Sequence, residues 1–549
     1  MALTGAELLV SELKQLGVTW ISTLCGNGLN PLYVACKKAG VRIVDTHNEQ
    51  AAAYMADAYA RLTGRLAVCA VSSGIAHCNG LTGVANAYFD GAPLLLITGA
   101  SAGYGAGRGV FQEFDQVALA EPICKSSKLI SRADDLSFLV RQAATTALSG
   151  RRGPVHLTVP VDVLGSKVDT SFSAKRRDVK TSLGQAEPRL IAEAVGVIGR
   201  AYRPLLIAGT GLFYTGAGAA MMRFSELTAI PIVTPIWDRG VVEKPHPNFL
   251  GVIGAATGEP KCLEDADLII MAGARVDYRV GFLTLPKVPE DAYIIRIDVD
   301  ASELRQGIDP DMSILANPSV AFQQLSEEAL LKRVPPHNQW LRETQRRWQA
   351  FRSTWIDKPS PNSGPMNGRH IVESIRSLLT EDVILLIDGG NIGQWAHMVL
   401  ADHYPSRWLT CGASAVVGWG VPGAMAAKLA FPDRPVLLLS GDGAFGFTVT
   451  ELESAVRQGL SFVAVVANDS AWGIVVSDQS KKYGEEGVIA SKSGEIRFDK
   501  LAEALGANGF RVEDPKKLTH AIREAFRAER PTVIDVPISV LGPADGSSS

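Results

Sequence analysis

Apolar residues in this chain fall into short unbroken runs, separated by longer stretches in which they recur every three or four positions. The runs read as buried parallel strands and the stretches between them as helices. In the first third the predicted strands are Trp20–Leu24, Val41–Thr46, Leu66–Ser72 and Leu94–Thr98, with a closing strand in Gly153–Pro160. Thr4-Gly5-Ala6-Glu7 reads as a helix start, with Leu8, Leu9, Leu13 and Leu16 on its apolar side. Small residues from Ala51 to Ala58 predict a closely packed helix. The middle third repeats the rhythm with Pro204–Ala208, Ile232–Thr234, Leu268–Ala272 and Ile294–Asp298. In the last third one strand ends near Leu386-Ile387-Asp388, and Pro435–Ser440 and Phe462–Ala467 flank a helix over Thr450–Gly459. Alternating strands and helices predict an α/β protein with three doubly wound parallel-sheet domains, at 1–175, 189–335 and 366–549. The polar stretch 166–188 and the segment flanked by Pro335, Pro336, Pro359 and Pro361 read as linkers, and the tail 542–549 as disordered.

Composition narrows the function. At 549 residues the chain is too long for one core. A net charge of −3 offers no broad basic field for nucleic acid or an anionic membrane. Seven scattered cysteines without metal-ligand spacing suit reduced thiols, hence a cytoplasmic location. No apolar run approaches the length of a transmembrane helix, and the first residues do not read as a signal peptide.

The chemistry concentrates after two strands of the last third. Gly441-Asp442-Gly443 follows one apolar run, and Asn468-Asp469-Ser470-Ala471-Trp472-Gly473 follows the next. In an open α/β sheet, ligands bind at the carboxyl ends of strands. Two aspartates there, with a loop carbonyl, suit Mg²⁺ holding a diphosphate. Gly443 would let the backbone approach the phosphates.

This pattern resembles the diphosphate signature of thiamine-diphosphate enzymes, in the branch of acetolactate synthases, 2-hydroxyacyl-CoA lyases and oxalyl-CoA decarboxylases. The resemblance implies Asp442, Asp469 and the carbonyl of Ala471 as metal ligands. The family's usual asparagine is Asp469 here. It implies cofactor contacts from Gly441, Gly443, Ala444, Asn391, Trp472, Gly473 and Ile474 in the last domain. In the first domain it implies Gly26, Asn27, Gly28, Ser73 and Asn79. Glu49, in Asp45-Thr46-His47-Asn48-Glu49-Gln50, matches the glutamate that shares a proton with the aminopyrimidine ring, and its Ala and Val neighbours would desolvate it. Val417, in Gly412–Ala424, takes the place of the apolar wedge between the cofactor rings. Ser72–Asn79 departs from the family's Thr-Ser-Gly-Pro-Gly-Ala-Thr-Asn at Ile75, Ala76, His77 and Cys78, and His77 is a candidate proton shuttle. Phe111-Gln112-Glu113 matches the family's Phe-Gln-Glu segment, implying Phe111 on the substrate wall and Gln112 as a donor to a substrate oxyanion. Asp478 is a further candidate on the substrate side.

Gly273-Ala274-Arg275-Val276-Asp277-Tyr278-Arg279 resembles a segment that binds FAD in some relatives and ADP or CoA in others. The resemblance also implies a homodimer at minimum and a homotetramer as the expected assembly. The activity it implies is a Mg²⁺-dependent lyase or carboligase acting on a small carbonyl substrate, a 2-oxo acid, through a C2 ylide and an enamine. A 2-hydroxyacyl-CoA or oxalyl-CoA lyase is the rival, and a non-catalytic nucleotide-binding homologue the reading from a different class.

Overall fold

A computed structural model describes residues 3–168, 184–242, 245–254, 260–356 and 366–539. The tail 542–549, Pro359, Pro361 and most of the first expected linker lie outside the described residues. Two compact units emerge. One gathers Met1–Lys180, Gly412–Asp433 and Thr448–Ser461. The other gathers Thr181–Cys411, Arg434–Phe447 and Phe462–Ser549.

The first unit carries a six-stranded parallel sheet in the spatial order Arg42–Asp45, Trp20–Leu24, Ala67–Val71, Leu94–Ala100, Val155–Pro160, Ser127–Leu129. The strand expected to close this domain is therefore next to the edge, and Ser127–Leu129 pairs outside it. The helix opening at Gly5 starts as its sequence predicts. Thr4 accepts from the Glu7 backbone N–H at 3.2 Å, and Glu7 accepts from the Thr4 N–H at 3.0 Å. Ala-rich Glu49–Thr63 packs against Ile75–Asp90 so closely that a Cβ on Gly83 would lie 2.4 Å from that of Ala53. Small residues thus set the separation of these two helices.

The second unit carries two parallel sheets. The central one runs Phe249–Ile253, Ile232–Pro235, Pro204–Ala208, Leu268–Ala272, Tyr293–Asp298, Met312–Leu315. In chain order this is 3-2-1-4-5-6, the dinucleotide-fold order. The last sheet runs Arg407–Thr410, Ile384–Asp388, Val436–Gly441, Val463–Asn468, Thr532–Pro537, Asn508–Arg511. Its chain order, 2-1-3-4-6-5, is that of the sheet in the first unit, so one topology is used twice. In both sheets the order reverses between the first and third strands, where a crevice opens. In the last sheet that crevice lies between Asp388 and Gly441, paired with its neighbour in register at Asp388↔Ser440.

Candidate active site

Asp442 and Asp469 leave the ends of adjacent parallel strands, with Gly441 opposite Ala467 in the register. The turn expected at Gly441-Asp442-Gly443 is the first turn of a short helix, Asp442–Phe447. Glycines crowd this end of the sheet. A Cβ on Gly389 would sit 2.8 Å from the Gly441 nitrogen, and one on Gly443 would meet the Trp472 ring at 3.0 Å. On Gly473 it would reach Asp469 Oδ2 at 2.4 Å, and on Gly390 the Ile474 side chain at 2.1 Å. The structure therefore brings together Gly441, Asp442, Gly443, Asp469, Trp472, Gly473, Ile474 and the Gly389-Gly390-Asn391 turn, with Ala444 buried beside Gly389. Asn391 Nδ2 donates to Asp469 Oδ2 at 3.4 Å. Ala471 N–H donates to Asp469 Oδ1 at 3.2 Å, and the left-handed Ser470 (φ 54°) makes that turn possible. Asn468 faces the other way, donating to Asp535 at 2.9 Å.

Asp442 is buried, Asp469 is half-buried, and their carboxyl groups are hydrogen-bonded to each other. Burial, then the Asp442 charge and the shared hydrogen bond, push Asp469 up to about 8. Asp442 is also raised by burial, against the pull of Asp469 and the Gly443 and Ala471 N–H groups. Two hard oxygen donors held together this way fit a small divalent cation, whose charge would replace the shared proton.

Glu49 opens its helix beside Asn48, whose side chain accepts from Gln50 N–H at 2.7 Å. Asn79, on the neighbouring helix, donates to Glu49 Oε2 at 3.0 Å. The turn before Glu49 is held by a residue the sequence did not single out. Glu451 is fully buried and accepts from the His47 N–H at 3.0 and 3.1 Å through its two oxygens. Burial pushes Glu451 up to about 7. Gly26 lies against Ser72, and Ser72 Oγ donates to the Asn27 carbonyl, so the Gly26-Asn27-Gly28 turn faces the Ser72-Ser73 turn across the sheet's crevice.

Gln112 takes a left-handed backbone, φ 54°, and its Cβ would meet a Cβ on Gly74 at 2.3 Å. Phe111 is two-thirds exposed, 66%, so it is not a core residue of this chain. The glycine-rich run before it is ordered by Glu113, which accepts from the Gly107, Gly109 and Val110 N–H groups. The glutamine with a full set of buried bonds is Gln116. It accepts from Gly74 N–H at 2.8 Å and donates to Gly99 O and Thr158 Oγ1 at 3.2 and 3.3 Å. His77 is buried against Thr98, at 2.9 Å, and the His156 ring, 4.8 Å away. Burial holds it down to about 4, so it stays neutral at physiological pH. That setting is structural, and it gives the expected shuttle no exposed face. Val417 is half-buried, one residue before a glycine with φ 81°. Its segment is docked by Trp419, whose indole N–H donates to the buried Asp57 at 2.8 Å, and by Ser414, which donates to Asn86 at 2.6 Å. Asp478 stands exposed on the helix Gly473–Tyr483 and pairs with Lys482 at 2.9 Å.

Three thiamine pyrophosphate enzyme family models match the chain. The N-terminal TPP binding domain covers residues 3–119, the central domain 191–325 and the C-terminal TPP binding domain 388–536. The chain belongs to the thiamine pyrophosphate enzyme family. The acetolactate synthase large subunit of Lactococcus lactis is 30% identical, spanning 98% of this chain and 92% of its own length. A probable acetolactate synthase large subunit of Methanococcus aeolicus is 28% identical over 98% of this chain and 92% of its own. Human 2-hydroxyacyl-CoA lyase 2 is 29% identical over 99% of this chain and 91% of its own. The protein is thus a thiamine-diphosphate-dependent enzyme of the lyase and carboligase type, which sets the non-catalytic reading aside.

In this thiamine pyrophosphate enzyme the two arginines of the central segment are committed to carboxylates. Arg275 pairs with Glu303 at 3.2 Å. Arg279 is buried, and binds Asp238 at 2.5 Å, Asp277 at 2.8 Å and the Ile236 carbonyl at 2.9 Å. All three nitrogens of Arg279 are thus engaged inside the fold, whereas Arg275 meets Glu303 through Nε. Among the described residues no helix is long and apolar enough to cross a membrane.

Proposed function

We propose that this enzyme is a Mg²⁺-dependent decarboxylase and carboligase of 2-oxo acids, similar in reaction to acetolactate synthase. The observation that carries the reading is the hydrogen-bonded Asp442–Asp469 pair at adjacent strand ends, a donor set that fits Mg²⁺ on a diphosphate. When bound, thiamine diphosphate supplies an acidic thiazolium carbon and the electron sink for breaking a bond beside a carbonyl. The chain's own residues do the rest. Asp442, Asp469 and the Ala471 carbonyl hold the metal. Glu49, steadied by Asn79, holds and returns a proton at the pyrimidine ring nitrogen. Gln112 donates to the substrate oxyanion, and Phe111 excludes water beside it. Val417 would give the bound cofactor an apolar surface to pack against.

The proposal includes a homodimer at minimum, with Glu49 of one chain serving the aspartates of another, and a homotetramer as the working assembly. It also includes a cytoplasmic location, which the seven free thiols support.

The test is turnover by the Mg²⁺- and thiamine-diphosphate-loaded protein. Pyruvate should be consumed with release of CO₂ and formation of 2-acetolactate. A second reading, cleavage of a 2-hydroxyacyl-CoA, is supported by the 29% identity to the human lyase. Cleavage of the acyl-CoA with no consumption of any 2-oxo acid would replace the first reading by the second.

A further inference from the structure

Trp237 is an aromatic residue held in a left-handed backbone, φ 71°, just beyond the central strand Ile232–Pro235. That conformation is costly for a bulky side chain and persists only where neighbours enforce it. The enforcement is visible. Thr410 donates its hydroxyl to the Trp237 carbonyl at 3.0 Å. On either side, Arg279 binds the Ile236 carbonyl at 2.9 Å and the Asp238 carboxylate at 2.5 Å. The same arginine binds Asp277, so the ion-paired cluster also fixes the start of the next segment, Tyr278. The Tyr278 ring lies 6.3 Å from that of Trp237, tilted by 53°, and is 56% exposed. Buried charge and backbone strain therefore present two aromatic faces, one of them largely open.

The place matters more than the strain. Thr410 ends the strand Arg407–Thr410, which pairs with Ile384–Asp388, which pairs with Val436–Gly441. Thr410 is thus at the ligand-binding edge of the last sheet, two strand spacings, about 10 Å, from the strand that delivers Asp442. A substrate bound beside Asp442 would lie at the same carboxyl ends of the strands as Thr410 and the Trp237 turn that it holds. A charged or small substrate end gains nothing from two rings there, whereas a planar apolar group gains contact area.

We propose that Trp237 and Tyr278 form a specificity wall that takes an aromatic or long apolar group carried by the 2-oxo acid. This rests on the 2-oxo acid reading above, and the test separates the two. The loaded enzyme is assayed with pyruvate and with phenylpyruvate, and binding of each acid is measured by calorimetry. The wild type should favour phenylpyruvate about tenfold or more, in kcat/KM and in affinity. Tyr278→Ala and Trp237→Gly, the latter compatible with the left-handed backbone, should lose most of that preference. Pyruvate values should change less than twofold, and Tyr278→Phe should retain the preference. A wild type that binds phenylpyruvate no more tightly than pyruvate would overturn the proposal, as would equal losses on both acids. An unchanged preference in a Tyr278→Ala protein that falls apart into smaller assemblies would assign the rings to a subunit contact instead. Tight, Tyr278-dependent binding of phenylpyruvate without turnover of either acid would uphold the wall and sink the 2-oxo acid reading.

Discussion

Glu49 and Asp469 each follow a strand of a parallel sheet of the same topology, yet their settings differ. Glu49 is half-buried and meets a neutral amide, Asn79, through one hydrogen bond. Asp469 is held against a second carboxylate, Asp442, and is pushed up to about 8. A carboxyl beside an amide can give and take a proton at little cost. Two carboxylates facing each other hold a shared proton until a cation takes its place. On the proposed reading, one topology carries a proton-handling acid in one copy and a cation-binding pair in the other, and the neighbouring side chain would decide which.

The largest test of that contrast is Glu49→Gln. An amide cannot share the proton, so turnover should fall by about 10²–10⁴-fold, while thiamine diphosphate still binds within a few-fold of wild type. A variant that keeps more than a tenth of its turnover would remove Glu49 from its role. Next comes Asp442→Ala, which should weaken Mg²⁺-dependent thiamine diphosphate binding by about 100-fold, read by calorimetry. Asp469→Asn keeps an oxygen donor and removes the repulsion. It should bind the cofactor within a few-fold, and equal damage from both changes would show that charge, not ligand geometry, holds the metal.

Glu451 offers a smaller effect with a defined direction. Its folded pKa, about 7, stands above the ordinary glutamate value, so the folded state holds a proton that the unfolded chain has released. Its contribution to stability is complete in acid, falls as pH rises from about 5, and is lost above 7. Glu451→Gln should flatten this slope, leaving the variant relatively more stable by about 1–3 kcal/mol at pH 8 than at pH 5. Denaturant midpoints across that range measure it. A slope identical to wild type would place the titration elsewhere.

The inner strands of the sheets were legible because burial on both faces writes an unbroken apolar run. Trp20–Leu24, Pro204–Ala208 and Leu268–Ala272 have the bounds that their sequences predict. The strands that escaped are of two kinds. Ser127–Leu129 and Asn508–Arg511 are sheet edges, where polar residues face outward and no apolar run forms. Phe249–Ile253 and Thr532–Pro537 are interrupted by a residue with a structural duty. Gly251 has φ 117° and lies against Ala401 and Trp348, and Asp535 is bound by Asn468 and Arg511. Within the site, Asp442 and Asp469 were legible from their spacing after strands. Gln116, Glu451 and Asp57 were not, since each acts through a backbone group or side chain distant in sequence. An acidic residue inside the Ala-rich helix that carries Asp57 was the signal that could have found one of them.

Asn79→Ala gives the smallest expected effect and bears most directly on the contrast between the two sheets. Its amide makes one hydrogen bond to Glu49, at 3.0 Å, on a side chain that is itself exposed. A single hydrogen bond to a charged group at such a site contributes about 1 kcal/mol, so turnover should fall about three- to tenfold. Folding should be unchanged. Asn79→Asp is the sharper variant, because it sets a second carboxylate against Glu49 and copies the arrangement at Asp442–Asp469. If the neighbour decides the role, that change should move the acidic limb of the pH–rate profile upward. A profile that does not move would mean that the difference between the two sheets lies in burial and not in the neighbouring side chain.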